Sequence, residues 1–135
     1  MICLDTNVVI AAINRRNAAV ARRMGEALTQ GASIGLPVIV LFELRYGYAR
    51  SDRKLHMEVL LAEFLSPGIA VLPFEEEDAG HAGDIRAHLE KLGQPIGHYD
   101  YLIAAQARRR GATLVTANGQ EFERVPGLMV TDRAS

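Results

Sequence analysis

Met1-Ile2-Cys3-Leu4-Asp5-Thr6-Asn7-Val8-Val9-Ile10 is the stretch that decides the fold of this chain. Four apolar residues run without interruption into a carboxylate, and apolar residues then resume as far as Asn14, which predicts a short strand passing directly into a helix. Asp5 stands at the junction. The same alternation continues downstream. Ala, Val, Met and Leu recur at helical spacing from Asn17 to Thr29, and Gly31 supplies the stop. Ser33 to Leu36 reads as a buried strand, and Pro37 suits the first turn of a helix running through Tyr48. A helix over Asp52 to Leu65 ends at Ser66-Pro67-Gly68, and a strand from Ile69 to Leu72 is closed by Pro73. The acids Glu75 to Asp78 suit the positive end of a helix that reaches Leu92, with Gly93 beyond it. After a break at Gln94 to Gly97 come a helix from Tyr99 to Arg110, a strand from Ala112 to Thr116 and a last strand over Leu128 to Val130. Short apolar strands alternating with amphipathic helices predict a doubly wound α/β domain with a mainly parallel sheet of four to five strands. In such sheets, ligands gather beyond the carboxyl ends of the strands.

The bulk properties bound the function. A chain of 135 residues, 49% hydrophobic, is expected to form one domain over residues 1–135 with one core. A net charge of -1 means that nucleic-acid binding must come from local basic patches. Arg15, Arg16, Arg22, Arg23, Arg45, Arg50, Arg53 and Lys54 are the candidates for phosphate contacts. Arg108 to Arg110 have a simpler use, as cations opposing the dipole at a helix C-terminus. The single cysteine, Cys3, has no intrachain partner and is expected to pack as a small hydrophobe in a reducing, cytoplasmic compartment. No membrane span or secretion signal is expected.

Three carboxylates stand out. Asp5 follows an apolar strand and so projects from the sheet's carboxyl edge, although a helix cap or turn would use the same residue. Glu43 has Ile39, Val40, Tyr46 and Gly47 as its neighbours three and four residues away, which places it on an apolar face. A buried carboxylate needs a partner, whether an arginine, a hydrogen-bond network or a metal. Asp100 opens an apolar helix, where the helix dipole favours its charge and also attracts phosphate. A fourth region, Thr116-Ala117-Asn118-Gly119-Gln120-Glu121-Phe122, follows a strand and lies on the same edge as Asp5; its Asn-Gly pair reads as a turn. If Asp5, Glu43 and Asp100 converge, hard oxygen donors without a Cys or His cluster select Mg2+ or Mn2+ and disfavour zinc. Such ions clamp phosphodiesters. His98, two residues before Asp100, could touch substrate or simply face solvent, while His56, His81 and His88 lack metal-type spacing and are expected on helix surfaces.

Taken together, these residues resemble the PIN-domain nucleases, specifically the VapC toxins of bacterial toxin-antitoxin pairs. The resemblance covers nearly the whole chain. It rests on Leu4-Asp5-Thr6-Asn7, on Phe42-Glu43-Leu44 with Tyr46-Gly47, on Pro95-Ile96-Gly97 before Asp100, and on Leu102-Ile103-Ala104-Ala105. Val115-Thr116 with Asn118 and Glu121-Phe122 before Val125-Pro126-Gly127-Leu128 complete it. It implies a PIN-like α/β/α sandwich and an endoribonuclease that uses Mg2+, or Mn2+, to promote in-line attack of water on RNA. It also implies Asp5, Glu43 and Asp100 as metal-binding catalytic acids, Asn7 and Thr116 as hydrogen-bonding supports, and Glu121 as a fourth acid assisted by Asn118. Some relatives carry an aspartate at the place of Asn118; leucine is frequent where this chain has Tyr101, and histidine where it has Gln106. The implied substrate is structured RNA, a tRNA or rRNA loop whose cleavage inhibits translation. The implied partners are a cognate VapB antitoxin and a second copy of the chain, with a larger assembly when antitoxin binds. Val38 to Leu44 and Val59 to Leu65 are apolar stretches for core, dimer or antitoxin contact.

Two rival functions use the same features. A phosphatase of the haloacid dehalogenase type wants a second acid two residues after the first, where this chain has Asn7, and a receiver-like domain wants a lysine that Thr113 to Asn118 lacks. A non-catalytic PIN-fold binding module would keep the acids as an ion site or an antitoxin anchor.

Overall fold

The computed structural model of the chain describes residues 1–14, 22, 26, 29–65 and 68–132. The helix expected over Asn17 to Thr29 and the turn at Ser66-Pro67 lie almost wholly outside these residues. Strand β1 (Ile2–Leu4) passes through Asp5 into α1 (Thr6–Ile13), as the opening stretch predicts. There follow β2 (Ile34–Pro37), α2 (Val38–Ala49), α3 (Lys54–Leu65), β3 (Ile69–Leu72), α4 (Glu76–Lys91) and α5 (His98–Arg109). The chain continues with β4 (Thr113–Thr116), a single turn α6 (Gly119–Phe122) and β5 (Met129–Asp132).

The five strands form one sheet in the order β3-β2-β1-β4-β5, and every pairing is parallel. β1 lies in the middle, with Ile2 opposite both Ile34 and Thr113. The chain winds outward from β1 in one direction through β2 and β3, and in the other through β4 and β5. Parallel strands buried under helices need apolar residues on both faces. Cys3, Leu4, Ile34, Leu36, Leu114 and Val115 are accordingly buried. Burial pushes the Cys3 thiol up to about 11, so it packs as an unreactive hydrophobe.

Pro37 departs from its expected place. It is the last residue of β2 and the cap of α2, with φ -55° and ψ 136°, because an extended ψ keeps it in register with Leu72 of β3. Proline offers no side-chain cap, and the buried Gln106 of α5 supplies one from a distance. Its Oε1 accepts from the Ile39 N–H at 3.5 Å, while its Nε2 donates to the carbonyls of Leu72 and Pro73 at 2.9 and 3.0 Å. Orphan groups at a helix start and a strand end are thereby joined. The Asn118-Gly119 pair opens α6 rather than a simple turn, and β5 extends to Asp132.

Asp78 and the arginines ending α5 form the chief charged contact of the core. Asp78 is fully buried in the first turn of α4, where it accepts from the Glu75 N–H at 2.8 Å. It also accepts from Arg109 Nε at 2.7 Å and from Arg110 Nη1 at 3.0 Å. Burial alone would raise the Asp78 pKa, but the Arg109 hydrogen bond, the Glu75 N–H and the two guanidinium charges hold it below the usual carboxylate value. The cluster at Arg108 to Arg110 thus does more than oppose a helix dipole. Arg108 donates to Nδ1 of the half-buried His81 at 3.0 Å, so His81 is a packing residue and not the surface residue expected. Removing one partner of a buried ion pair strands the other's charge, at a cost of about 3 kcal/mol or more. Asp78→Ala is therefore expected to lower the melting temperature by about 10 °C in a thermal scan. Because the folded pKa of Asp78 is depressed, its contribution is present above the ordinary Asp value and disappears as pH falls through the folded value. The wild type and Asp78→Ala should consequently converge in melting temperature in acid.

Candidate metal centre

Asp5 lies one residue beyond β1, yet its backbone N–H still donates to the Val115 carbonyl at 3.0 Å, which extends the β1–β4 ladder to the sheet edge. The neighbouring strands β2 and β4 lead away from β1 in opposite directions, so this edge is a topological switch point. Asp5 caps α1 and at the same time reaches across the sheet edge. Its Oδ1 accepts from the Thr6 N–H at 2.8 Å, capping α1, while its Oδ2 accepts from the Thr116 hydroxyl at 2.7 Å. Thr116 is itself fully buried, and its Oγ1 accepts from the Asn118 N–H at 2.9 Å. The Asn118 side-chain amide donates to Glu121 Oε2 at 2.9 Å.

Glu43 reaches the same edge from α2. The expected apolar face is only half realised. Val40 is buried and Ile39 partly so, but Tyr46 and Gly47 are exposed, and Glu43 itself is half-buried on the wall of an open cavity. The cavity has a volume of about 470 Å3 and is lined by Thr6, Phe42, Glu43, Tyr46 and Tyr99. The Thr6 hydroxyl donates to Glu43 Oε1 at 2.8 Å. Thr6 therefore links two acids, capping its own helix through Asp5 with its N–H and holding Glu43 with its hydroxyl. Sequence inspection passes over this residue because its partner is 37 positions away.

Asp100 stands in the first turn of α5, after the Gly97 cap. The loop before it is fixed by the buried Tyr101, whose hydroxyl accepts from the Ile96 N–H at 3.1 Å. A Cβ on Gly97 would come within 2.8 Å of Asp100 Oδ2, so the absent side chain makes room for the carboxylate. Asp100 is pushed up to about 7, first by burial and then by the charges of Asp5, Glu43 and Glu121, against the easing effect of the Gly97 backbone N–H. Burial also raises Asp5, while the Thr116 hydroxyl and Thr6 N–H counter it. The four acids thus share one electrostatic field. Among the described residues none of them has an arginine, lysine or histidine hydrogen-bonded to it, and no three Asp, Glu, His or Cys side chains are drawn in closely enough to form a finished ligand set. Carboxylate oxygens without a compensating cation are the donor chemistry of a hard divalent ion.

The other named residues fall elsewhere. Asn7 is exposed and has no hydrogen bond to the acids among the described residues. His56, His88 and His98 are exposed. Arg15, Arg16 and Arg23 lie outside the described residues. Arg22 faces Glu26 at 3.9 Å and Arg45 faces Glu58 at 3.7 Å, both as surface pairs. Arg50, Arg53 and Lys54 are exposed. Of the two apolar stretches, Val40, Leu44 and Leu61 enter the core, whereas Phe42 and Val59 stay exposed. No helix among the described residues is long and apolar enough to cross a membrane.

The PIN domain family model matches residues 2–128. The tRNA(fMet)-specific endonuclease VapC of Shigella flexneri is 40% identical over 129 residues, covering 96% of this chain and 95% of the relative. Ribonuclease VapC2 of Rickettsia felis is 37% identical over 127 residues, covering 94% and 93% of the two chains. Among solved structures, VapBC2 from Rickettsia felis bound to a DNA fragment from their promoter superposes with a TM-score of 0.90 at 36% identity, covering 98% of each chain. DNA-bound VapBC from Salmonella typhimurium gives a TM-score of 0.89 at 34% identity, with 98% and 97% covered. The all-parallel sheet, the acid-lined edge and these full-length similarities agree, and the chain belongs to the PIN-domain family, in its VapC branch.

Proposed function

We propose that this chain is a metal-dependent endoribonuclease and the VapC toxin of a toxin-antitoxin pair, acting on an exposed loop of structured RNA. The observation that carries the reading is the set of four carboxylates, Asp5, Glu43, Asp100 and Glu121, that face one sheet edge without cationic partners among the described residues. The relatives' names supply the substrate class, and tRNA(fMet) is the RNA to try first. Its anticodon loop exposes a reachable backbone, as single-stranded loops do. The solved VapBC complexes support a VapB partner for this chain, and a second copy of the chain is expected alongside it. We read residues 1–135 as one domain, and cytoplasmic RNA as its target.

Asp5, Glu43 and Asp100 are the residues that would hold a divalent ion, with Glu121 as a further acid and Mg2+ favoured over Mn2+. The ion supplies charge neutralisation at the phosphodiester and an acidified water. The protein's own part is to hold the acids in place. Thr116 fixes the orientation of Asp5, Thr6 that of Glu43, and Asn118 that of Glu121. Hydrogen bonds of this kind fix which carboxylate oxygen remains free to face a ligand. The cleavage implied is in-line attack of water on phosphorus, leaving a 5'-phosphate and a 3'-hydroxyl, with no covalent link to the enzyme.

Partner-free protein incubated with tRNA(fMet) should cut it in Mg2+ or Mn2+ and not in chelator. Asp5→Asn and Asp100→Asn should each lower kcat by about 100-fold or more, and Thr116→Val by about tenfold, in a gel assay of cleaved ends. Cutting that persists in chelator or in either Asn variant would overturn the mechanism.

The charge cluster also predicts a pH dependence of stability. Asp100 titrates at about 7 in the fold against an ordinary 3.8, so the metal-free folded state holds a proton there that the unfolded state releases earlier. That stabilisation is complete below the ordinary value and is lost as pH rises to and through 7. Asp100→Asn mimics the protonated form. It should raise the melting temperature of the metal-free protein at pH 8 by several degrees and change it little at pH 4, while added Mg2+ should raise the melting temperature of the wild type alone.

A further inference from the structure

Three aromatic rings line the open cavity that holds Glu43. Phe42 and Tyr46 lie one turn apart on α2, with near-parallel rings 22° from coplanar and centroids 6.5 Å apart. Tyr99, from the first turn of α5, sets its ring 5.2 Å from Phe42. All three are half exposed, at 48%, 56% and 48%, whereas the chain's other tyrosines, Tyr48 and Tyr101, are buried. The exposed rings also have a consistent place in the sequence. Phe42 immediately precedes Glu43, and Tyr99 immediately precedes Asp100. Each of these two acids therefore carries an aromatic neighbour onto the surface beside it. At the outer end, the Arg50 guanidinium lies 5.5 Å from the Tyr46 ring centroid and its Nη1 donates to the Tyr46 hydroxyl at 3.4 Å.

Exposed aromatic faces are costly in water unless a ligand covers them. The cavity they line also holds Glu43 and Thr6, so an occupant of the rings is continuous with whatever meets Glu43. Two of the rings carry hydroxyls and one is flanked by an arginine, which suits a flat, polar-edged group on a polyanion better than an aliphatic side chain. We infer that Phe42, Tyr46 and Tyr99 are a stacking shelf for an unpaired RNA base next to the bond that is cut, with Arg50 at the shelf's end toward the neighbouring phosphate. This rests on the nuclease reading above and adds to it the side chains that would hold an unpaired base. Every base has a π-face, so such a shelf selects single-stranded character more than sequence.

The test uses the full chain and a synthetic anticodon stem-loop of tRNA(fMet) carrying 2-aminopurine in its loop, with a fully paired duplex of the same loop sequence as control. Tyr46→Leu and Tyr99→Leu should each raise KM for the stem-loop by about tenfold and change kcat much less, and Tyr46→Phe and Tyr99→Phe should restore KM. The wild type and the Phe variants should quench the 2-aminopurine fluorescence, and the Leu variants should not. The duplex should be neither quenched nor cut. If the wild type cuts the loop while the Leu variants keep both KM and quenching, the shelf is overturned and the nuclease reading stands. Quenching without cutting by the wild type, in either metal, would overturn the nuclease reading and leave the rings as a base-binding site alone. Leu variants that handle RNA normally but no longer bind a VapB C-terminal segment would assign the rings to the antitoxin and overturn the proposal.

Discussion

The hydrogen bond from Thr116 to Asp5 crosses the seam between β1 and β4, and the arrangement of the sheet's active edge depends on it. It joins two strand ends 111 residues apart in sequence. From Asp5 the connections run through the Thr6 backbone and hydroxyl to Glu43, and from Thr116 through Asn118 to Glu121. Three acids on three separate elements are thereby held in one chain of donors and acceptors, made from short side chains with little rotamer freedom to lose. Asp100 alone enters from outside that chain, placed by the start of α5 and by the room Gly97 leaves.

The molecule treats these aspartates in two opposite ways. Asp78, in the core, receives two guanidinium groups and a backbone N–H, and its proton affinity falls. Asp5 and Asp100, at the sheet edge, receive only hydroxyl and amide donors among the described residues, and their proton affinity rises. The first arrangement locks α4 to α5 and leaves nothing for a ligand to do. The second leaves negative charge incompletely compensated on a surface that a ligand can reach. That difference distinguishes Asp78 from Asp5 more clearly than burial does, since both are buried.

Much of this organisation was legible in the sequence. Strand and helix order followed from apolar runs and Gly or Pro stops, and the fold class followed from their alternation. Asp5 stood out because it follows a strand, Glu43 because its helical neighbours are apolar, and Asp100 because it opens an apolar helix, whereas Glu121 came only from the family resemblance. The sheet order and the partners of each acid were not legible. Pairings such as Thr116 with Asp5, Thr6 with Glu43 and Asp78 with Arg109 join distant segments, and local periodicity carries no information about them. Glu43 illustrates the limit: its i±3 and i±4 neighbours are apolar in type, yet Tyr46 is exposed because no element of the described chain covers that turn of α2. Tyr101 and Gln106, which first read as departures from a pattern, have clear work in this chain, one fixing the loop before Asp100 and the other capping α2.

The hydrogen-bonded chain at the sheet edge also has an order in time. Asp5, Glu43 and Asp100 all leave the ribosome before β4 does, but Thr116, Asn118 and Glu121 follow, and β4 must then insert beside the central strand. A nascent polypeptide that stops short of β4 holds three of the acids and lacks both the hydroxyl that orients Asp5 and the edge on which they meet. Synthesis therefore passes through no partial product with the full hydrogen-bonded edge; the edge closes as the last strands dock.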